Sequence, residues 1–303
     1  VIDMGTRYLV AKTDPITFAT DEIGWYAVQV CANDIATMGA QPRWFMATVL
    51  LPHASATEDL ARQILGQIGH ACEALSIGVV GGHTEITVGL ERPVVVGCML
   101  GEVEKEALIT TSGAQPGDVL LLTKGAPLEA ASILARECAA DLRDLVPAGV
   151  LERCARYLHD PGISVVRDAR IAVEVGGVTG MHDPTEGGVL AALWEMAVAC
   201  GHRLEVDLHG SDDPWLPDAL AICHALGLDP AASIASGALL LAARPEAAER
   251  LRERYRQEGI AVFALGHVCE GDTLVVDPAG QRLPWPQRDE IARFFDESHA
   301  NLR

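Results

Sequence analysis

The sequence predicts an α/β (α+β) protein of two domains. Two observations carry this: short apolar, strand-like runs alternate with stretches of helical periodicity along the whole chain, and 303 residues exceed what one hydrophobic core usually organises. A turn-rich bridge at 112–118, with Gly113, Pro116 and Gly117, sets the expected domains at residues 1–112 and 113–303.

In the first half, residues 8–12 read as a strand ending at Thr13-Asp14-Pro15. A helix follows over 24–38, then a strand over 44–51, a helix over 57–75, a short strand at 79–80 and another over 94–100. Beyond the bridge, strands are expected at 119–122, 203–206, 238–243 and 262–265. Helices are expected at 128–138, 164–175, 217–226 and 245–258, and an apolar run over 189–199 opens from a helix start.

Composition limits the partners. Lys plus Arg number 23 against 42 Asp plus Glu, a formal charge of -19, which argues against a nucleic acid or an anionic membrane as main partner. A phosphate ligand would need backbone amides, lysines or magnesium to overcome that field. The eight cysteines are widely spaced, form no zinc or redox motif and read as reduced core residues. With no run long enough to span a bilayer and no signal-like opening, a cytoplasmic location is expected.

The segment His182-Asp183-Pro184-Thr185-Glu186-Gly187-Gly188 concentrates a histidine, two carboxylates, a hydroxyl and a glycine pair at a helix start. It reads either as a ligand turn, whose free amides and partial positive charge suit an anion, or as a cap, with Asp183 or Thr185 bonding the first-turn amides. Asp34 interrupts the apolar face formed by Ile23, Ala27, Val30 and Met38, so it needs a partner unless Asn33 and Asp34 lie at a frayed helix end. Asp14 reads as a strand-end residue over a ligand site or as an ordinary Asp-Pro turn. Gly81-Gly82-His83-Thr84-Glu85 reads as a ligand-approaching turn or an incidental bend, and together with Asp14 and Asp34 it suggests acidic sites converging on cations. Thr123-Lys124-Gly125 stands in a strand-loop-helix context suited to phosphate, although the P-loop pattern is missing. No Gly-x-Ser-x-Gly elbow is present, so a serine hydrolase has no support.

In this order, Thr13-Asp14, Asn33-Asp34-Ile35-Ala36-Thr37-Met38-Gly39-Ala40-Gln41-Pro42, Gly81-Gly82-His83-Thr84-Glu85, the His182 to Gly188 turn and Ser236-Gly237-Ala238-Leu239-Leu240 resemble the motifs of the aminoimidazole ribonucleotide synthetase-like (PurM-like) superfamily. The resemblance is greatest to its hydrogenase-maturation HypE branch. It implies an N-terminal mixed sheet that dimerises and a C-terminal α/β domain, a homodimer holding ATP and magnesium near the subunit interface, and an oxygen activated by phosphorylation from ATP on an unknown small-molecule or protein substrate. It also implies Asp14, Asn33, Asp34, Gly82, Thr84, Thr123 and Lys124 as nucleotide-binding residues and Asp14, Asp34, His83 and Glu85 as metal ligands. His182, Asp183, Thr185 and Glu186 would carry the chemistry.

The chain departs from the pattern at three points. It ends Ser298-His299-Ala300-Asn301-Leu302-Arg303 without the terminal cysteine on which HypE chains dehydrate their group, so chemistry on its own tail is not expected. His83 stands where many relatives have Asp or Glu, and the glycine-rich N-terminal cover for ATP is not in this sequence. Two other readings follow from the same resemblance: a non-catalytic nucleotide-binding partner in a maturation or regulatory complex, and a small-molecule kinase related to thiamine-monophosphate kinase.

Overall fold

The computed structural model describes residues 1–17 and 21–300, with side chains through residue 297. Residues 301–303, part of the tail compared above with cysteine-ended chains, lie outside the described residues. Two compact units are present, Val1–Leu108 and a second from Ile109 onward, so the expected α/β class is borne out.

The first unit contains β1 (Ile2–Asp3), β2 (Arg7–Ile16), α1 (Ile23–Thr37), β3 (Gln41–Pro52), α2 (Glu58–Ala74), β4 (Gly78–Thr87) and β5 (Val94–Glu104). The strands form one mixed sheet in the order β1-β2-β5-β3-β4, with β4 parallel to β3 and the other pairs antiparallel. Burial alternates along β5, where Val95, Gly97, Met99, Gly101 and Val103 face inward, as one covered sheet face requires. Against that face α1 lies unusually close. A Cβ on Gly97 would stand 2.7 Å from Cys31 Sγ and 3.1 Å from the Ala27 carbonyl oxygen, so only hydrogen fits beneath the helix. Thr57 caps α2 by accepting from the Leu60 amide at 3.1 Å, with Glu58 and Asp59 in the positive first turn.

Two sequence expectations change here. Asp14 and Pro15 do not end β2; they lie within it, paired with Gly97 and Val96 of β5. Proline is tolerated because β1 pairs only as far as Leu9, leaving the other side of β2 at Pro15 outside the β1 pairing, where a missing N–H breaks no ladder bond. Likewise Gly81 to Glu85 is not a turn after a two-residue strand but the middle of β4. The β3 ladder holds it, Ala47 facing Gly82 and Thr48 facing His83. The close approach that Gly82 permits is to the Ala47 carbonyl oxygen, 2.5 Å from where a Cβ would stand.

The second unit contains β6 (Val119–Thr123), α3 (Leu128–Glu137), α4 (Ala139–Leu142), α5 (Val150–Arg156), α6 (Val166–Val175), β7 (Val178–His182), α7 (Gly188–Cys200), β8 (Arg203–Val206), α8 (Pro217–Leu226), β9 (Leu240–Ala243), α9 (Pro245–Gln257), β10 (Val262–Cys269), β11 (Val275–Val276) and α10 (Glu290–Ala300). Its sheet runs β11-β8-β10-β6-β9-β7. The central strands β6 and β9 are apolar runs buried on both faces, with helices supplying the cover. One core joins Leu120, Leu122, Leu193, Trp194, Leu204 and Leu240 beneath α7. A second packs α3, α5, α8 and α10 through Leu134, Cys154, Ile222 and Ile291. All eight cysteines are free thiols, and Cys31, Cys72, Cys138, Cys154 and Cys223 are buried. Among the described residues no helix is long and apolar enough to cross a membrane.

The close packing of α1 is testable. A Cβ on Gly101 would stand 2.7 Å from the Gln41 carbonyl oxygen and would press on Ile35. Gly101→Ala is therefore expected to destabilise the first unit by about 1–3 kcal/mol through overpacking, read as a lowered midpoint in urea unfolding.

Candidate functional site

In the second unit, strand register brings three of the singled-out segments together. Leu122 of β6 pairs with Leu240 of β9, which pairs with His182 of β7. Because β9 is antiparallel to both neighbours, β6 and β7 end on the same edge where β9 begins. Thr123-Lys124, the His182 to Gly188 turn and Ser236-Leu239 thus leave one end of the sheet, where open α/β sheets commonly bind ligands.

Thr123 and Lys124 turn inward there. The Thr123 hydroxyl donates to Asp168 Oδ1 at 2.7 Å and accepts from the Leu239 amide at 3.1 Å. Lys124, 7% exposed, places Nζ 3.2 Å from Asp168 Oδ2 and donates to the Ser164 carbonyl oxygen at 2.5 Å. Burial lowers the Lys124 pKa, and the Asp168 charge opposes that shift. Tyr255 completes the knot by donating to the Asp168 carbonyl oxygen at 2.8 Å. Both side chains expected at phosphate are thus engaged in tying β6 to α6, β9 and α9.

The His182 to Gly188 turn is held in an equally specific way. Asp289 accepts from the Gly187 and Ile291 amides, both at 2.8 Å, so a carboxylate from the start of α10 already takes an amide at the start of α7. Asp289 thus holds the residue immediately before the first turn of α7. Gly187 and Gly188 have φ of 78° and 63°, and a Cβ on Gly188 would stand 2.5 Å from the Ser233 carbonyl oxygen; the glycine pair serves close packing of this loop. His182 Nε2 lies 2.6 Å from Glu195 Oε2 of α7. Thr185 is half-buried, Glu186 exposed, and Asp183 buried at 2% exposure.

Glu129, in the first turn of α3, was not identified from sequence. It is 5% exposed and its Oε2 has no hydrogen-bond partner. Burial pushes its carboxyl up to about 7; a hydrogen bond with Ser236 opposes this, while the charges of Glu186, Asp289 and Asp183 add to it. Desolvation thus dominates, as for a carboxyl held in a low-dielectric site. An acidic residue inside the apolar run Leu128-Glu129-Ala130-Ala131 was the available signal. Ser236 bonds Glu129, and Glu186, Asp289 and Asp183 lie near enough to act on its charge.

In the first unit, Asn33 is fully buried in the last turns of α1, so the helix is not frayed at that point. Asp14 and Asp34 come together, joined by a residue not singled out from sequence. Lys12 Nζ lies 3.2 Å from Asp14 Oδ2 and 3.1 Å from Asp34 Oδ2, the three side chains being 35%, 30% and 28% exposed. Burial works against the Lys12 ammonium, but the Asp34 and Asp14 charges outweigh it and hold its pKa above the usual lysine value. His83 and Glu85, 3.5 Å apart and exposed, lie elsewhere. The row Asp14, Gly97, Ala47, Gly82 spans three strand spacings, about 14 Å, and His83, Thr84 and Glu85 continue beyond Gly82. Among the described residues no group of three or more His, Cys, Asp or Glu is placed to hold a metal ion. The expected magnesium ligands form two separated pairs within one chain, and an ammonium already bridges the carboxylates of the first.

This pair of domains defines an AIR synthase-type protein. Residues 1–103 match the N-terminal domain and residues 115–277 the C-terminal domain of AIR synthase related proteins, and the chain belongs to that family. A putative hydrogenase expression/formation protein of Methanocaldococcus jannaschii is 25% identical over 84% of this chain and 74% of its own length. Carbamoyl dehydratase HypE of Cupriavidus necator is 29% identical over 75% of this chain and 62% of its own. In fold, the chain resembles hydrogenase maturation protein HypE solved in complex with ATP, with a TM-score of 0.79, 21% identity and coverage of 97% and 89% of the two chains.

Lys124→Met strands Asp168 in the core and is expected to cost about 3–5 kcal/mol; adding Asp168→Asn should recover part of this in chemical unfolding. Glu129 is held neutral in the fold up to about 7 but ionises in the unfolded chain near 4.5. Its contribution is therefore complete below about pH 4.5 and is lost as pH rises through about 7, a change on the order of 3 kcal/mol at about 1.4 kcal/mol per pKa unit. Urea unfolding across pH 4–8 should show that decline in the wild type and a flatter profile in Glu129→Gln.

Proposed function

We propose that this protein is an ATP-dependent enzyme of the carbamoyl dehydratase type, activating a carboxamide oxygen by phosphorylation and eliminating it to leave a nitrile. The observation that carries this reading is Glu129: a buried carboxyl poised near neutrality beside Ser236, at the sheet end where the Asp183 turn emerges. Membership of the AIR synthase related family and the similarity to HypE sequences support it. The nucleotide is assigned to the first unit's Asp14, Asn33 and Asp34 face.

The reaction makes a definite demand on the protein. The amide oxygen attacks the γ-phosphorus as the bond to ADP breaks, and one N–H proton leaves, giving an O-phosphorylated imidate. Loss of the second N–H proton and cleavage of the C–O bond then release phosphate and leave a carbon–nitrogen triple bond. Each stage needs an acceptor for a proton near neutral pH, and general bases work best with a pKa near the operating pH. Glu129 is assigned a proton-accepting role, with Ser236 positioning it.

A second copy of the chain is assigned to the first unit's sheet. Strand β4 is an edge strand carrying exposed Val79, Val80 and Ile86, the kind of apolar edge that soluble proteins cover by pairing. A homodimer in sedimentation would agree with this assignment.

The test is calorimetric titration with ATP and a non-hydrolysable analogue, each with and without magnesium, followed by ADP release on addition of carboxamide substrates. Binding together with carboxamide-dependent ADP release is expected. Glu129→Gln should lower turnover by roughly 10²–10⁴-fold with nucleotide affinity retained. Binding without turnover on any acceptor would favour a non-catalytic partner, and phosphate transferred and retained on the acceptor would favour a kinase.

A further inference from the structure

Lys12 and Asp14 are two residues apart on β2, so their side chains leave the same face of the strand. Helix α1 brings Asp34 against them, and the Lys12 ammonium reaches both carboxylates, at 3.2 and 3.1 Å. Resting on the assignment of Asp14 and Asp34 to the nucleotide face, we propose that Lys12 is the resident cation of this pair, standing where a divalent ion would stand and closing the pair to free divalent cations.

Three physical points support this. A divalent ion here would take two carboxylates from the chain and the rest of its octahedron from water or a ligand, and the other acidic candidates begin about 14 Å away across three strands. The ammonium reduces the local charge from −2 to −1, so an entering divalent ion would have to displace it and leave it beside a new positive charge. Finally, Lys12 is tethered to the strand that carries Asp14, and a short tether corresponds to an effective concentration in the millimolar range or above. A free ion must compete with a cation that never diffuses away.

The same lysine distinguishes this face from an ordinary acidic metal site. Its positive charge is present in the absence of any ligand, so an arriving anion meets an ammonium as well as two carboxylates. Arginine would preserve that charge; methionine would keep the length of the stem and remove it.

Manganese(II) binding to the full chain without nucleotide, followed by electron paramagnetic resonance, tests the proposal. The wild type is expected to show no manganese site that is lost on Asp34→Asn. Lys12→Met should bind at least about tenfold more tightly than wild type, equivalent to roughly 1.4 kcal/mol. Asp34→Asn placed on Lys12→Met should abolish the gain, and Lys12→Arg should behave as wild type. Equal affinity in wild type and Lys12→Met, or a gain in Lys12→Arg matching that in Lys12→Met, would overturn the proposal. Should Lys12→Met fail to fold, Lys12→Gln makes the same comparison, and a wild-type manganese site abolished by Asp34→Asn alone would refute it with no lysine variant. Since no nucleotide is present, these outcomes are independent of the ATP titration: absence of ATP binding would sink the proposed function and leave the manganese result to decide on Lys12.

Discussion

The buried ion pair between Lys124 and Asp168 is the constraint on which the second unit's sheet end depends. An unpaired charge at this depth would cost several kcal/mol, so the loop after β6 has to place Lys124 against α6, and Asp168 has to remain there to receive it. The Thr123 hydroxyl extends the requirement to β9 through the Leu239 amide, and Tyr255 extends it to α9. Once these groups are fixed, the start of α3 is fixed too. Glu129 then has a defined place, and an acid-base group can work only if its surroundings are pre-organised.

A chain with a formal charge of -19 must accommodate carboxylates wherever it folds tightly, and here it uses three physical solutions. Asp168 and the Asp14–Asp34 pair are met by ammonium groups. Asp289 is met by backbone amides at the start of α7 and in its own turn, which counter the upward push of burial on its pKa. Glu129 is met by neither in full, and its proton is retained up to about pH 7. The first two solutions fix a charge; the third leaves a charge to be decided by pH or by a ligand. That difference, more than proximity to any motif, singles out Glu129 among the acidic residues of the second unit.

Much of the architecture was legible in the sequence because it depends on local period. Helices α8 and α9 begin at Pro217 and Pro245, as expected from proline in a first turn, and β6 and β8 lie where short apolar runs were bounded by turn residues. What was not legible depended on partners distant in the chain. Nothing local to Gly81-Gly82 indicates that β3 will supply a ladder along ten residues. Nothing local to Gly187 indicates that Asp289 will bond its amide from 102 residues away. The Asp183 turn was recognisable as a special place, but its glycines serve packing and its amide is occupied, and that could be known only from the opposing loop. Helix α10 does carry apolar Ile291, Phe294 and Phe295 at helical spacing; its many charged residues obscured the pattern.

Lys12 and Lys124 show why a lysine beside an aspartate has no fixed meaning. Lys124 and Asp168 have side chains 5% and 2% exposed, where water cannot replace a lost partner, so exchange is costly and the pair acts as structure. Lys12, Asp14 and Asp34 remain about one-third exposed, and ion pairs in contact with water are worth only about 0–1 kcal/mol. Such a bridge can form, hold the two carboxylates in register and still turn its ammonium towards an anionic ligand. Burial depth therefore assigns the two lysines opposite duties, rigidity in the second unit and exchangeable charge in the first. The depth follows from position: Lys124 leaves the end of a strand buried on both faces, whereas Lys12 leaves a strand with only β1 beyond it at the sheet edge.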